Sequence, residues 1–124
     1  MNIEQLRNYC LRKKGASEGF PFDEETLVFK VLGKMFALVP LERWERGESS
    51  INLKCDPEYS DELRADYNSI RPGFHMSKKH WNTVSLYTGE LKYELVLELI
   101  DHSYDMVVKG MTKKMRNTLA ELDN

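Results

Sequence analysis

Residue types that mark specialised protein classes are scarce in this chain. Only two cysteines, Cys10 and Cys55, occur among 124 residues, and they do not form a CxxC pair. This excludes a disulfide framework and a zinc ribbon, and it is typical of a reducing compartment, where cysteines are usually buried free thiols. With 4 prolines and 7 glycines, no segment has the composition of a disordered tail.

Long hydrophobic runs are also missing. The longest apolar stretch, "MFALVPL", is interrupted by Pro40 and is far too short to cross a bilayer. The N-terminus mixes charged and apolar residues and does not resemble a signal peptide. We therefore expect a cytoplasmic protein without a membrane partner, folded as one domain over residues 1–124, because two domains would each have a marginal core.

An overall positive charge is absent, since the net charge is −2 and the pI is about 5.9. Sequence-independent nucleic-acid binding depends on phosphate neutralisation and usually shows as a basic domain. Any such binding here must come from a local patch. One segment stands apart, because no acidic side chain occurs between Asp66 and Glu90, and "RPGFHMSKKHWNTV" lies within this interval.

Capping residues and apolar periodicity predict four helices. They cover about residues 3–14, with Asn2 and Gln5 as a capping box; about 57–70, after Asp56 and Pro57; 91–109, closed by Gly110; and a short last helix after Thr112.

Alternating apolar residues predict four strands. Two of them flank Gly33 and Lys34, which suit a type II′ hairpin turn, with Phe29, Val31, Phe36 and Leu38 facing the core. The others are "INLKC" (51–55) and "WNTVSLY" (81–87). Residues 15–25 read as a loop pinned by Phe20 and Phe22.

The order helix, three strands, helix, strand, two helices predicts an α+β two-layer sandwich. An antiparallel sheet of about four strands carries the helices on one face in this arrangement. The other face is left to solvent or to a partner.

Four long stretches resemble the MmcQ/YjbR-like family over about residues 3 to 119: "PFDEETLVFKVLGKMFALV", "INLKCDPEYSDELRADY", "PGFHMSKKHWNTV" and "LIDHSYDMVV". The sequence departs from the family pattern at Ser77, where asparagine is usual, and at Asp23, where glycine is frequent. The resemblance implies a CyaY-like (frataxin-like) fold with a double-wing arrangement of β-hairpins, and it implies DNA binding. No catalysis and no cofactor are expected.

If the protein binds DNA, the basic stretch "RPGFHMSKKHWNTV" is the candidate binding site. Lysines neutralise phosphates, arginine and histidine donate hydrogen bonds to phosphate oxygens, and a tryptophan ring offers a stacking surface. The candidate residues are Arg71, His75, Lys78, Lys79, His80 and Trp81, extended by Lys34 at the hairpin tip and Lys54 on the outward sheet face. The structural alternative is a turn with solvated lysines and a half-buried tryptophan.

Other chemistries have less support. No nucleophile elbow, P-loop or HExxH motif occurs, and His75 and His80 lack the spacing of a helical metal site. The consecutive residues Asp101, His102 and Ser103 resemble a catalytic triad only in the linear sequence, because the side chains of adjacent helical residues point about 100° apart. We expect a solvated helix face there. A protein-interaction or small-ligand module on the exposed sheet face, bearing Trp81, Tyr87 and Val28, is the alternative function.

Overall fold

Residues 1–123, which the computed structural model describes, form five helices and six strands. In chain order these are α1 (Ile3–Leu11), β1 (Ala16–Gly19), β2 (Thr26–Val31), β3 (Lys34–Pro40), α2 (Leu41–Glu45), β4 (Ser50–Lys54), α3 (Pro57–Asp66), β5 (Ile70–Pro72), β6 (Trp81–Ser85), α4 (Tyr93–Lys109) and α5 (Lys113–Ala120). No helix in this part of the chain is both long and apolar enough to cross a membrane.

Side-chain caps fix where three helices begin. Asn2 accepts a hydrogen bond from the backbone N–H of Gln5, and the Gln5 side chain accepts one from the Asn2 backbone, so the predicted capping box of α1 is confirmed. Asp56 caps α3, with proline as its first residue, and Thr112 caps α5. Each cap satisfies a backbone N–H that the helix itself leaves unpaired.

All six strands form one antiparallel sheet in the order β1-β2-β3-β4-β6-β5. The predicted α+β class is confirmed, but the sheet has six strands rather than about four. The two additional strands, β1 and β5, are the edges of the sheet and have only four and three residues. Such short polar segments carry little alternation, and their strand geometry comes from pairing with distant residues.

The helices cover one face of the sheet, which we call the inner face. Its main core joins inward residues of the strands to residues of the helices, among them Leu6, Phe29, Phe36, Ile51 and Ile100. The opposite, outer face carries a much smaller buried cluster of Val28, Leu38 and Trp81, against which Met35 and Met76 pack.

The β2–β3 hairpin differs from the prediction in its turn and its register. Val31 pairs with Lys34, so the turn is Leu32-Gly33, and both residues have positive φ, as a type I′ turn requires. The register then shifts, because Phe29 pairs with Ala37 whereas Lys30 pairs with Met35.

The shift leaves Phe36 as an extra residue in β3, which is a β-bulge. Phe36 and Ala37 both join the main core, and side-chain alternation reverses after them. The predicted inward position of Leu38 is therefore wrong, because this residue lies in the outer cluster.

The segment between α1 and β2 is also not the loop that was expected. Residues 16–19 pair with β2 as strand β1. Phe20 and Phe22 do not pin the segment, since 49% and 64% of their surfaces are exposed.

Candidate nucleic-acid interface

The basic stretch forms a hairpin at the edge of the sheet. Arg71 pairs with Thr83 and Pro72 with Asn82, and the Gly73 N–H donates to the Trp81 carbonyl at 2.8 Å. A Cβ on Gly73 would lie 3.0 Å from the Trp81 Cβ and 3.1 Å from the Trp81 carbonyl oxygen, so the close approach of the two strands favours glycine. The hairpin thus presents residues 73–80 as an exposed loop.

The first half of this loop lies on the outer face of the sheet. The Phe74 N–H donates to the Thr83 hydroxyl at 3.1 Å, and Met76 packs on the outer cluster around Trp81. His75, between them, has a left-handed backbone with φ of 59°. These contacts hold the exposed Phe74 ring at the outer face of the sheet.

The second half of the loop turns toward the helical layer. The Ser77 carbonyl accepts from the N–H groups of His80 at 3.2 Å and Trp81 at 2.9 Å, which closes a tight turn. The Arg64 guanidinium of α3 donates to the carbonyl of Lys78 in this turn. The side chains of Lys78, Lys79 and His80 are all exposed.

The structure divides the predicted site residues into three groups. Arg71 and His75 lie at the outer face, where each lines a hollow. The turn that α3 holds carries Lys78, Lys79 and His80. Lys34, at the hairpin tip, and Lys54 line a separate hollow beside Val107 and Gly110 at the end of α4.

Trp81 does not offer a stacking surface. The residue is only 9% exposed and packs with Val28 and Leu38 in the outer cluster. The prediction that Trp81 and Val28 form an exposed partner surface is therefore wrong, whereas Tyr87 is exposed as expected. The tryptophan is a packing residue of the outer cluster.

Two residues that the sequence did not single out complete the outer face. Arg43 of α2 lies over the Phe74 ring, with 5.5 Å between the guanidinium carbon and the ring centre, and Phe74 is 57% exposed. A hollow of about 250 Å³ is lined by Arg43, Arg71, Phe74, Pro72 and Thr83. We call it the arginine hollow. None of these five lining residues is acidic.

A second hollow adjoins the first and shares Phe74. It has a volume of about 400 Å³, and its apolar walls include Phe22, Leu38 and Met76. We call it the aromatic cleft. Its polar lining includes Asn52, whose carbonyl oxygen accepts from the Thr83 hydroxyl at 2.6 Å, and Asp23.

One row of cross-strand partners explains the polarity of the outer face. Across β2, β3, β4, β6 and β5 the row runs Val28, Leu38, Asn52, Thr83 and Arg71. The row is apolar at β2 and cationic at β5. The aromatic cleft lies toward its apolar end and the arginine hollow at its cationic end.

Acidic side chains gather just before β2 and on α2, the helix that also carries Arg43. Backbone N–H groups of Glu25 and Thr26 donate to Asp23 and lower the pKa of its carboxyl. The neighbouring charge of Glu42 raises the pKa of Glu25. Acidic and cationic side chains therefore both border the outer face, with Asp23 lining the aromatic cleft and Arg71 lining the arginine hollow.

Comparison with known proteins identifies the family. The family model described as YjbR matches residues 11–106. The chain belongs to the YjbR family. It is 32% identical to YjbR of Escherichia coli K12 over 98% of this chain and 100% of that protein, and 44% identical to YbdF of Escherichia coli O157:H7 over 77% and 75%.

Solved structures agree with this membership. The Deinococcus radiodurans protein DR2400, with domain DUF419, superposes with a TM-score of 0.86 at 42% identity and covers 99% of this chain and 91% of its own. A Pseudomonas syringae protein gives a TM-score of 0.69 at 29% identity, covering 86% of this chain and 98% of its own. The curated YjbR and YbdF relatives are described as uncharacterized proteins. Family membership therefore defines the fold, and a function must be argued from the geometry of the candidate site.

The side chains of Asp101, His102 and Ser103, consecutive residues of α4, contact three different parts of the protein. Asp101 accepts from the Tyr9 hydroxyl and the Lys13 ammonium, each at 2.6 Å, whereas His102 Nε2 accepts from the Asp56 N–H at 3.1 Å. Ser103 is buried and donates to the Phe36 carbonyl. The predicted solvated face is wrong, because each side chain ties α4 to a different element.

Metal-binding groups do not converge in the described part of this YjbR family member. Among residues 1–123, no three His, Cys, Asp or Glu side chains are grouped to hold a metal ion. Both thiols are buried, and burial raises the pKa of Cys10 to about 12 and also raises the pKa of Cys55. Neither thiol has the lowered pKa of a nucleophile.

Proposed function

We propose that the protein binds DNA weakly through the outer face of its sheet and through the exposed 73–80 loop, without catalysis. The observation that carries this proposal is the arginine hollow. There, Arg43 and Arg71 flank the exposed Phe74 ring, and no acidic residue lines the space between them. Guanidinium groups bind phosphate oxygens in a bidentate fork, which makes arginine suited to a nucleic-acid backbone.

Two hairpin tips outside the arginine hollow carry further lysines in the manner of wings. Lys34 lies at the tip of the β2–β3 hairpin, and Lys78 and Lys79 lie at the tip of the β5–β6 hairpin. Because the net charge of the whole chain is −2, these local cations act against a weak overall repulsion of DNA. The affinity should therefore be modest and strongly dependent on salt.

Charge variants test this proposal. Fluorescence anisotropy with labelled DNA at low salt should give a lower affinity for the Lys78→Ala/Lys79→Ala variant than for the unmodified protein. The salt slope of log K should flatten by about 1.4 to 1.8, because two phosphate contacts are lost. The matched control is Lys113→Ala/Lys114→Ala, which removes the same charge from exposed positions on α5.

Three results would contradict DNA binding at this surface. They are salt-independent binding, no binding at micromolar protein in low salt, and an equal loss of affinity in both double variants. The last result would mean that only the total charge matters.

A small-ligand or protein-interaction module on the same face is the second candidate. The aromatic cleft favours it, because an apolar space of about 400 Å³ with a few polar groups is typical of a ligand site. This function predicts binding or self-association that is insensitive to salt and that is lost in Phe22→Ala. Light scattering and calorimetry across salt concentrations distinguish it from DNA binding.

A further inference from the structure

Two hollows of opposite character meet at the Phe74 ring. The aromatic cleft on one side is lined mainly by rings, aliphatic side chains and methionines, and the arginine hollow on the other side is lined by two guanidinium-bearing residues. A ligand that fills both must combine a flat apolar part with an anionic part only a few bonds away. Among the components of DNA, a nucleotide has this combination.

We propose that the two hollows form a nucleotide site, in which the aromatic cleft takes the base of an unstacked nucleotide and the arginine hollow takes its phosphate. The protein then prefers single-stranded DNA to duplex DNA. This inference rests on the proposed DNA-binding function and deepens it.

The walls of the cleft suit a base. Phe22 and Phe74, which both line it, are among the most exposed aromatic residues, and the His75 ring lies beside the Phe74 ring, with 4.0 Å between their centres. Met35 and Met76 supply flexible thioether side chains that adapt to planar groups of different size. Stacking on such rings tolerates any base, because every base has a π-face.

Polar groups on the cleft wall suit the edge of a base. Asn52 uses its carbonyl oxygen to accept from Thr83, so its amide nitrogen remains the donor that it offers to a base carbonyl. Asp23 is held ionised by backbone donors and offers an acceptor to an exocyclic amino group. One donor and one acceptor are sufficient to hold a base edge without selecting strongly among the four bases.

The charges of the outer face orient the nucleotide. The Asp23 carboxylate in the aromatic cleft repels a phosphate, whereas Arg43 and Arg71 in the arginine hollow attract it. These charges favour the base in the cleft and the phosphate in the arginine hollow. A base inside a duplex is stacked and paired, and it must first be flipped out to enter the cleft, which costs free energy.

The test compares one labelled DNA strand of about 12 nucleotides, free and annealed to its complement, in anisotropy titrations of the full chain at low salt. We expect the single strand to bind roughly tenfold more tightly than the duplex. Phe74→Ala should weaken single-strand binding by roughly tenfold and duplex binding much less, because only the unstacked base uses the ring, whereas both DNA forms use Arg43 beside it.

Phe20→Ala is the matched control. Phe20 is also an exposed phenylalanine, but it lines a different hollow, beside Gly19 and Lys30, so its removal should leave the affinity for both DNA forms unchanged. Circular dichroism confirms that each variant is folded. An Arg43→Gln/Arg71→Gln variant should have a lower affinity for both single-stranded and duplex DNA.

Two outcomes overturn the inference, and they are distinguishable. Equal affinities for duplex and single strand, together with no effect of Phe74→Ala, would contradict the nucleotide site but not the proposed DNA binding. If neither DNA form binds, both the nucleotide site and the proposed DNA-binding function are contradicted.

Discussion

Arg64 of α3 holds the Asn82 side chain and the base of the 73–80 loop at the same time. Its Nε donates to the Asn82 amide oxygen at 2.8 Å, and its terminal nitrogen donates to the carbonyls of Lys78 and Trp81. The Asn82 amide nitrogen in turn donates to the Ser60 hydroxyl at 3.1 Å. One planar guanidinium therefore connects the helical layer to the hairpin that carries the lysines.

Removing this guanidinium should destabilise the fold. Arg64→Ala leaves the Asn82 amide oxygen without this donor and removes a second hydrogen bond from the Trp81 carbonyl, which keeps the Gly73 N–H, and we expect a loss of about 2 kcal/mol in the free energy of unfolding. Arg64→Lys should lose less, because it keeps the charge but cannot reproduce the fork. Urea denaturation measures both, with the exposed Asp61→Ala on the same helix as control. An Arg64→Ala variant as stable as Asp61→Ala would contradict this role.

Trp81 should contribute to stability and not to DNA affinity. Trp81→Ala removes the largest member of the outer cluster and should cost about 3 kcal/mol. Trp81→Phe, which keeps an aromatic ring in the cluster, should remain folded and bind DNA like the unmodified protein. A Trp81→Phe protein that is folded but loses DNA affinity would return the stacking role to this residue.

The thiol of Cys10 should be inert in the folded protein. Burial raises its pKa to about 12, so the thiolate fraction at pH 8 is negligible. The pKa of Cys55 is raised as well. A thiol-reactive chromogenic disulfide should therefore detect both thiols in guanidinium and react only slowly in buffer. Fast stoichiometric reaction of either thiol in buffer would show that the thiol is accessible.

Glu90 should make stability depend on pH in the acidic range. The Ser69 hydroxyl and backbone N–H, together with the Asn68 N–H, lower the pKa of its carboxyl. Because the folded pKa lies below the unfolded value of about 4.3, the ionised group stabilises the fold at neutral pH. That contribution is lost as the pH falls through the folded pKa.

A Glu90→Gln variant tests this dependence. It should be less stable than the unmodified protein at pH 7, and the difference should shrink as the pH falls into the range where Glu90 is protonated. Thermal unfolding at several pH values measures it, with the exposed Glu62→Gln as a charge-matched control. A difference that stays constant down to acidic pH would contradict the role of the carboxylate.

Local signals in the sequence predicted where three helices begin, but not the short helix α2, which has no side-chain cap, and the helix predicted to reach residue 70 ends at Asp66. The caps at Asn2, Asp56 and Thr112 are short-range hydrogen-bond patterns, and the structure confirms each of them. The edge strands β1 and β5 could not be predicted in this way. Their residues have weak alternation, and only pairing with β2 and β6 makes them strands.

The candidate site was predictable only in part. The charge contrast identified Arg71 and the loop lysines, but a left-handed Leu32 and an extra Phe36 moved the β3 register, which placed Leu38 on the outer face. The Arg43–Phe74 contact joins residues that lie far apart in the sequence. No local spacing encodes such a contact, since it depends on how α2 and the loop pack on the sheet.

Chemical-shift mapping of the ¹⁵N-labelled protein during titration with single-stranded DNA tests the outer-face account most directly. We expect the largest amide shifts in residues 71–83 and around Arg43 and Asn52, and no shifts in α5 or along the side of α4 that packs on the sheet. Shifts confined to α1, α4 and α5, or no shifts at all at low salt, would contradict it.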